Sequence, residues 1–522
     1  MSSRALLHET EFVWIESILR SHFLFADLDD DKIREVAEAF EVVEYAPGKV
    51  IMKQDQMEDQ KFFYIVATGQ CQVEKNGKVL PPPYGTLTEG SSFGELSFLF
   101  NTTRAATIIS DDEDGGVKLY RLDGTVFVQM LGVEKTRDLR EAITKIDTVI
   151  DAFSGEKTKT SDGSLLRPYN PRTVWLLRQW RGTVIQYTWK KVVAMVIFTA
   201  CLCLILDITV LPDYSVIEIL KDSQHKHPVL VHLELFGMSW NRLATLTTFV
   251  LTFFLNQAYT FWWNIYVYAR TIQGKLNNIS MLLAAAASRS GGVLGELTPG
   301  AEKILDDVAH LARLTHSLYW AGVVKRYNIL LTPQGLMRML SRGLMKKEEY
   351  EKIVVLRKEG AHFISLGWLT TCIIQGAEDG HIKAENASIQ VILSQIAELR
   401  GFLALIPLMY VGRMPLAYVH FVEVLVTFFI ISAPFALFPL SGYWAVLSVG
   451  ILTLFYAGVL DLAKMLLDPL DNDGVHRKSF YETPSFDVGV LIRENNASSV
   501  SCNKARTMMP KRFSGNKVVG LC

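Results

Sequence analysis

Two rhythms of apolar and polar positions run along this chain, and one gives way to the other near residue 175. Before that point the apolar runs are short. They alternate with polar residues and are separated by turns rich in Gly, Pro and Asn, such as Lys75-Asn76-Gly77-Lys78. Such alternation predicts half-buried strands, here over Glu41–Tyr45, Lys49–Met52, Phe62–Ala67, Gly69–Lys75 and Gly116–Arg121. Helical spacing flanks them, from an apolar helix near 13–26 and Asp27–Phe40 on one side and from Thr125–Val149 on the other. Residues 12–150 thus read as a strand-rich soluble domain with flanking helices, and 151–174 (SGEKTKTSDGS to NPRT at its heart) as an exposed linker.

Beyond the linker, uncharged runs lengthen. Lys190-Lys191 precedes VVAMVIFTACLCLIL (192–206), which Asp207–Leu211 can extend to the roughly 20 residues that a bilayer crossing needs. A second candidate is Leu243–Ala269, a third lies within Gly401–Leu440 (interrupted by Gly412-Arg413 and Pro415), and a fourth is Tyr443–Leu460. Arg178, Arg181, Lys190 and Lys191 before the first span and Arg270 and Lys275 after the second fit a cytosolic location for both flanks. Four spans then place both termini in the cytosol. Between the second and third spans, AEKILDDVAHLARLTHSLYW and KEEYEKIVVLRKEG are amphipathic, so about 270–400 is expected to be a helical cytosolic region. Residues 479–522 read as a polar tail.

Composition narrows the function classes. A formal net charge of -1 supplies no excess of Lys and Arg to displace counterions, so nucleic acid is not an expected partner. The six cysteines (71, 201, 203, 372, 502 and 522) make no zinc spacing and no disulfide framework. MSSRALLHETEFVW lacks a basic stretch followed by an apolar one, so no cleavable secretory signal is expected.

The sharpest chemical feature of the first domain is FGELSFLFNTTRAATI, residues 93–108. Gly94 and Glu95 offer a flexible turn and a carboxylate, which suits ribose hydroxyls. Arg104, nine residues on, offers a planar fork that suits a phosphate. Taken alone, the pair could equally be a structural salt bridge. The surrounding string resembles the phosphate-binding cassette of cyclic-nucleotide-binding domains, particularly those of the cAMP-dependent kinase regulatory subunit. LFADLDDDKIREV and FFYIVATGQCQVEKNGK extend the resemblance. It implies that Glu95 contacts the ribose 2'-hydroxyl and Arg104 the cyclic phosphate, with Gly94 and Ala106 making backbone contacts. Thr103 stands where the family often has Pro. Ala105 in place of Thr leans toward cAMP, with cGMP as the alternative.

Residues 175–478 resemble bestrophins. Trp180-Arg-Gly-Thr183, Thr248-Phe-Val-Leu-Thr-Phe-Phe254 followed by Trp262-Trp263-Asn264, Arg413-Met-Pro-Leu416, and Phe455-Tyr-Ala-Gly-Val459 ending in Asp468-Pro-Leu-Asp471 occur in that family's order. By spacing alone, Thr245, Phe249, Phe253 and Gln257 share one helix face, and the plainest account of them is a packing stripe. The resemblance implies instead that five subunits surround one pore whose neck is lined by Thr245, Phe249 and Phe253, rings of Phe gating by dewetting. Thr245 departs from the family's apolar residue there. Met414 corresponds to the cytosolic aperture; its neighbour Arg413 either faces the vestibule or pairs with an acidic residue. Asp468, Asp471, Asn472 and Asp473 gather hard oxygen ligands of the kind Ca²⁺ takes, and in bestrophins the matching turn forms a Ca²⁺ clasp. Here Asn472 replaces an acidic ligand and His476 a later one, and a helix-ending turn is the simpler alternative.

The sequence therefore predicts an N-terminal β-roll with flanking helices, a cyclic-nucleotide-binding domain, fused to a mainly α-helical, four-span bestrophin-like membrane domain. The expected function is a homopentameric channel for chloride or bicarbonate in a lipid bilayer, modulated by cytosolic cAMP or cGMP and possessing no enzymatic activity. Two alternatives stand beside it: a cation-conducting relative, and a non-conducting membrane-tethered cyclic-nucleotide receptor.

Overall fold

The computed structural model describes residues 9–507 apart from 21, 23–24, 26–27, 57–60, 76, 80–84, 96–102, 105, 112–115, 132, 155–164, 167–170, 181, 211–227, 291–295, 357–359, 384–385 and 473–485. In chain order, helices α1 (Glu9–Arg20) and α2 (Asp30–Glu38) lead into strands β1 (Glu41–Tyr45), β2 (Val50–Met52), β3 (Phe62–Thr68), β4 (Cys71–Lys75), β5 (Lys78–Val79), β6 (Thr86–Leu87), β7 (Ser92–Phe93), β8 (Thr107–Ser110) and β9 (Val117–Asp123). Then come α3 (Gly124–Leu131), α4 (Val133–Ser154), α5 (Thr173–Arg178), α6 (Val184–Val210) and α7 (Pro228–Ala286). A small hairpin precedes α8 (Pro299–Val323), and a 3-10 segment (Lys325–Leu331) leads to α9 (Pro333–Ser341), α10 (Lys347–Leu356) and α11 (Ala361–Glu378). The series closes with α12 (Asn386–Val411), α13 (Leu416–Ser441), α14 (Ala445–Leu466) and α15 (Val488–Thr507).

The chain divides into two compact units. One comprises residues 1–158, 314–322 and 326–365; the other holds the remainder.

In the first unit, Asp29 caps α2 by accepting from the Lys32 amide at 2.9 Å, and Ile33, Val36 and Ala37 form its buried face. One sheet has the order β1-β9-β3-β7, the other β2-β8-β4-β5 with β6 also on β4. Side chains of both meet in one core: Tyr64, Val66, Phe93, Val117 and Leu119 from the first, Met52, Cys71, Val73 and Ile108 from the second. The expected β-roll is corrected here, because the described strands form two open sheets and no closed roll. The strands that would have to close it are short: β5, β6 and β7 have two residues each, so their ladders end almost where they begin. An aromatic cluster, Phe63 among His22, Phe25 and Phe40, seats the helices on β3.

In the second unit, α6 packs on α14, and α7 packs on α12, α13, α14 and α15. Trp240 of α7 stacks on Phe429 of α13 with centroids 4.3 Å apart, and its indole N–H donates to the Ser432 hydroxyl at 3.1 Å. Gly237 permits the close approach, since a Cβ there would stand 3.1 Å from the Ala436 carbonyl.

Among the described residues, three helical stretches are long and apolar enough to cross a membrane: Val184–Ile208, Ile389–Val411 and Leu416–Leu466. The four-span expectation is corrected accordingly. The second expected span, Leu243–Ala269, falls inside the 59-residue helix α7 and is not among the three. Thr245, Thr247, Thr248, Thr252, Asn256 and Gln257 dilute its apolar character. The third, Gly401–Leu440, breaks at Gly412–Pro415 into the end of α12 and the start of α13. Its second part runs on, through a single 3-10 turn at Gly442–Trp444, into the fourth.

Candidate functional site

The turn after β7 shows why position 94 is glycine. Gly94 has φ +95°, and a Cβ there would lie 2.6 Å from the Phe62 carbonyl and 3.0 Å from Nη1 of Arg104. The Arg104 guanidinium occupies that space. Its Nη1 donates to the Gly94 carbonyl at 3.0 Å and to the Phe62 carbonyl at 3.3 Å, while the residue is only 2% exposed. Its backbone is pinned from the other side, donating to the Gln56 carbonyl at 3.3 Å and accepting from the Asp55 amide at 2.9 Å. A buried, oriented cation with a planar guanidinium is chemically suited to a phosphate.

Glu95 is partly open at its surface, yet desolvation raises its carboxyl above the ordinary carboxylate range. Its own backbone amide and then the charges of Arg338 and Arg104 oppose that rise, and Asp147 adds to it. Gly94, Glu95 and Arg104 are thus brought together. Ala106 packs, half-buried, against the two-sheet core, and Thr103 is exposed; Ala105 lies outside the described residues. Arg338 and Asp147 were absent from the residues expected around this pocket. No sequence signal marks them, since neither lies near the 93–108 string.

In the second unit, α7 turns Thr245, Phe249, Phe253 and Gln257 outward; Phe249 is 70% exposed. Its opposite face, Thr247, Leu251, Phe254 and Ala258, is buried. The shared helix face expected from four-residue spacing is present, and among the described residues it is left exposed. Tyr418 links this helix to the segment carrying Arg413 and Met414: its ring meets Phe253 at 6.4 Å and Phe254 at 6.1 Å, edge to face with the former. Met414 is half-buried. Arg413 extends Nη1 to the Leu467 carbonyl at 3.5 Å, against the end of α14.

The acidic turn is built from backbone contacts. Asp468 Oδ1 accepts from the Asn472 amide at 2.9 Å and from the Tyr410 hydroxyl at 3.4 Å. The Asn472 side chain accepts from the Lys325 amide at 2.8 Å and donates to the Val323 carbonyl at 3.0 Å. Asp471 sits at φ +55°, and Asp473 and His476 lie outside the described residues. A Ca²⁺ site needs about six to eight oxygen ligands. Asn472 spends its oxygen on a backbone amide, and among the described residues no three His, Cys, Asp or Glu side chains are grouped to hold a metal. The described part of the turn does not fit a calcium site.

Comparison with known proteins assigns both parts of the chain. The family described as "Cyclic nucleotide-binding domain" matches residues 42–133, and that described as "Bestrophin, RFP-TM, chloride channel" matches residues 170–476. The cAMP-dependent protein kinase regulatory subunit of Aspergillus fumigatus is 37% identical over 131 residues, 24% of this chain and 31% of that protein. The regulatory subunit of Blastocladiella emersonii is 33% identical over 130 residues, 24% of this chain and 30% of that protein. The chain therefore spans about a third of the length of the curated relatives it matches. Among solved structures, a triple mutant of the regulatory subunit of a cAMP-independent protein kinase A from Trypanosoma brucei, bound to cAMP in the A site, is 24% identical. It matches with a TM-score of 0.24 over 30% of this chain and 52% of the other.

Proposed function

The chain belongs to the bestrophin family, and we propose that it is a homopentameric anion channel, passing chloride or bicarbonate, whose opening is modulated by a cyclic nucleotide bound at its N-terminal domain. The observation that carries the proposal is the uncovered face of α7. A row of Thr245, Phe249 and Phe253 left open by the subunit's own packing, within the bestrophin-matched residues, needs a cover. In a closed ring of identical subunits that cover is the same face of the neighbours around a shared axis. Rings of Phe then form a narrow dry neck, and their partly positive edges face a dehydrating anion. Met414 lies at a second constriction. Arg413, held against the end of α14 by the Leu467 carbonyl, braces that segment.

At the other site, the pocket's chemistry fits a cyclic nucleotide. Arg104 would hold the cyclic phosphate through a guanidinium already oriented by two backbone carbonyls, and Glu95 would accept from a ribose hydroxyl. A nucleotide supplies an anionic phosphate and hydroxyl donors, which suit a guanidinium and a carboxylate respectively. Ala106, whose neighbours are core residues, would give a backbone contact; Ala105 favours cAMP. The domain is a receptor and not an enzyme: its relatives are regulatory subunits, and the membrane part matches a channel family. Lys190 and Lys191, near the start of α6, favour a cytosolic location for the N-terminal domain, where cyclic nucleotide can reach the pocket.

The test is a recording from the purified full-length protein in planar bilayers under a chloride gradient, with and without cAMP. Currents that reverse near the chloride equilibrium potential and change with cAMP support the proposal. Reversal at the cation equilibrium potential would replace it with the cation-conducting alternative. Nucleotide binding without conductance would replace it with a membrane-tethered receptor.

A further inference from the structure

The compact unit that contains the nucleotide-binding domain also contains a piece of the bestrophin-matched sequence, residues 326–365. Helix α9 lies in that piece and packs on α4, which follows the last strand and α3 of the nucleotide domain. Arg338 of α9 and Arg342, which caps its C-terminus, meet two aspartates of α4. Arg338 is bidentate to Asp147, Nε to Oδ1 at 2.8 Å and Nη2 to Oδ2 at 3.0 Å. Arg342 reaches Asp151 at 2.6 Å. On both helices the partners are four residues apart, so the pairs form two rungs one turn apart. The Arg338 side chain is only 6% exposed. A buried guanidinium of this kind is costly to leave without its carboxylate.

Helix α9 is also rigidly mounted. Thr332 caps it by accepting from the Gly335 amide, and Pro333 opens it. Gly335 lies so close to the preceding turn that a Cβ would stand 2.2 Å from the Ile329 carbonyl. Phe153, two residues beyond Asp151, meets Tyr327 edge to face at 5.1 Å. The same Arg338 charge acts on Glu95 ahead of that of Arg104, and it also reaches His22 in the aromatic cluster behind β3.

We propose that Arg338 is a positioning residue that couples the nucleotide pocket to the channel, its bidentate pair with Asp147 and the Arg342–Asp151 pair forming a clamp whose strength changes when nucleotide engages Glu95. This rests on the proposed nucleotide-modulated channel and names the path of that modulation. A ribose hydroxyl donating to Glu95 stabilises its ionised form, and an ionised Glu95 competes with Asp147 for the Arg338 charge. Nucleotide therefore biases α4 and α9 between two arrangements, and by reciprocity whatever moves α9 changes nucleotide affinity by the same factor.

The experiment records cAMP dose-response curves from full-length protein in bilayers and measures cAMP binding by calorimetry on the same preparations. The variants are Asp147→Asn, which keeps shape but removes the acceptor charge, and the exchanged pair Arg342→Asp with Asp151→Arg. Asp147→Asn is expected to conduct without nucleotide and still bind cAMP, with the cAMP-induced change in open probability reduced by a factor within the usual coupling range of roughly 5–150. Arg342→Asp alone should reduce it likewise, and the exchanged pair should restore it, which a general loss of fold would not. Should either variant fail to assemble, Arg338→Lys keeps the charge but loses the fork, and partial coupling is then the expected result. A wild type that responds to cAMP while Asp147→Asn and Arg342→Asp respond identically overturns the clamp alone. A wild type that neither binds nor responds to cAMP overturns the nucleotide-modulated channel and the clamp with it.

Discussion

Arg104 fills the space that a side chain on Gly94 would need: its Nη1 stands 3.0 Å from the position of that missing Cβ and donates to the Gly94 carbonyl at 3.0 Å. Glycine and arginine are thus a matched pair, one omitting the atoms that the other replaces with a charge.

The pair makes the first prediction. Arg104→Ala removes a charge-assisted contact to the phosphate worth about 1.5–3 kcal/mol, which corresponds to at least about tenfold weaker cAMP binding. Gly94→Ala should also weaken binding, because an alanine at φ +95° carries backbone strain of order 1–3 kcal/mol and pushes the guanidinium aside. Single-channel conductance should be untouched in both, since neither residue lies on α7. Calorimetry with cAMP and unitary current measurements check the two halves; an Arg104→Ala protein with wild-type affinity would remove Arg104 from the site.

The second prediction concerns the uncovered face of α7. Phe249→Ala combined with Phe253→Ala should widen and wet the neck, raise nucleotide-free current and weaken discrimination among anions, with each single change acting in the same direction but less strongly. Both side chains are exposed in the subunit, so folding should survive. Leu251→Ala, on the buried face, serves as contrast: it should cost about 2–5 kcal/mol of stability and leave selectivity alone. Unchanged conductance in the double variant would mean that this face serves packing.

What the sequence revealed, and what it hid, follows from the range of the interactions. The 93–108 string is legible because Gly94 and Arg104, ten residues apart, meet directly at the Gly94 carbonyl. The strand expected over Glu41–Tyr45 is β1 with the same ends, and all five of its residues pair with β9. Asp147 and Arg338 are separated by 191 positions, and each resembles any charged residue on an amphipathic helix. Hydropathy misread the membrane part for a related reason. Thr247 and Thr248 satisfy their hydroxyls on the Leu243 and Ala244 carbonyls of their own helix, so polar composition on α7 does not interrupt it. The break at Gly412–Pro415 is legible as Gly412-Arg413 and Pro415 in the third run, whereas no charge marks the 3-10 turn at Gly442–Trp444 that joins α13 to α14.

The third prediction separates structure from calcium at the acidic turn. Asn472→Ala leaves the Lys325 amide and the Val323 carbonyl without their side-chain partner, a loss of about 1–3 kcal/mol for each group that stays buried. Thermal stability should fall, while the current's response to Ca²⁺ over the sensor range of about 10⁻⁷–10⁻⁵ M should match that of the wild type. A Ca²⁺ response that disappears in Asn472→Ala with stability intact would restore the clasp.

The last prediction is a pH dependence of stability, carried by His316. Its ring is fully buried, and neither nitrogen has a hydrogen-bond partner among the described residues; Trp320 lies beside it with ring centroids 6.2 Å apart. Burial alone lowers its pKa to about 3 from an ordinary 6.5. His22, half-buried behind β3, is likewise lowered to about 3, by desolvation first and then by the Arg338 charge. Both rings are therefore neutral in the folded chain at neutral pH, whereas the unfolded chain binds a proton on each below about 6.5. Stability from the two groups is complete above pH 6.5 and is lost as pH falls toward 3, at up to about 1.4 kcal/mol per pH unit for each ring. Chemical denaturation of the detergent-solubilised protein at pH 7.5, 6.0 and 5.0 should show the midpoint falling across that window. His316→Leu, which replaces a ring that has no polar partner, should make the fall shallower and leave pH 7.5 stability equal or higher. A midpoint that is flat from pH 7.5 to 5.0 in the wild type, or a slope unaltered by His316→Leu, would show that this ring reaches solvent or a proton acceptor in the folded protein.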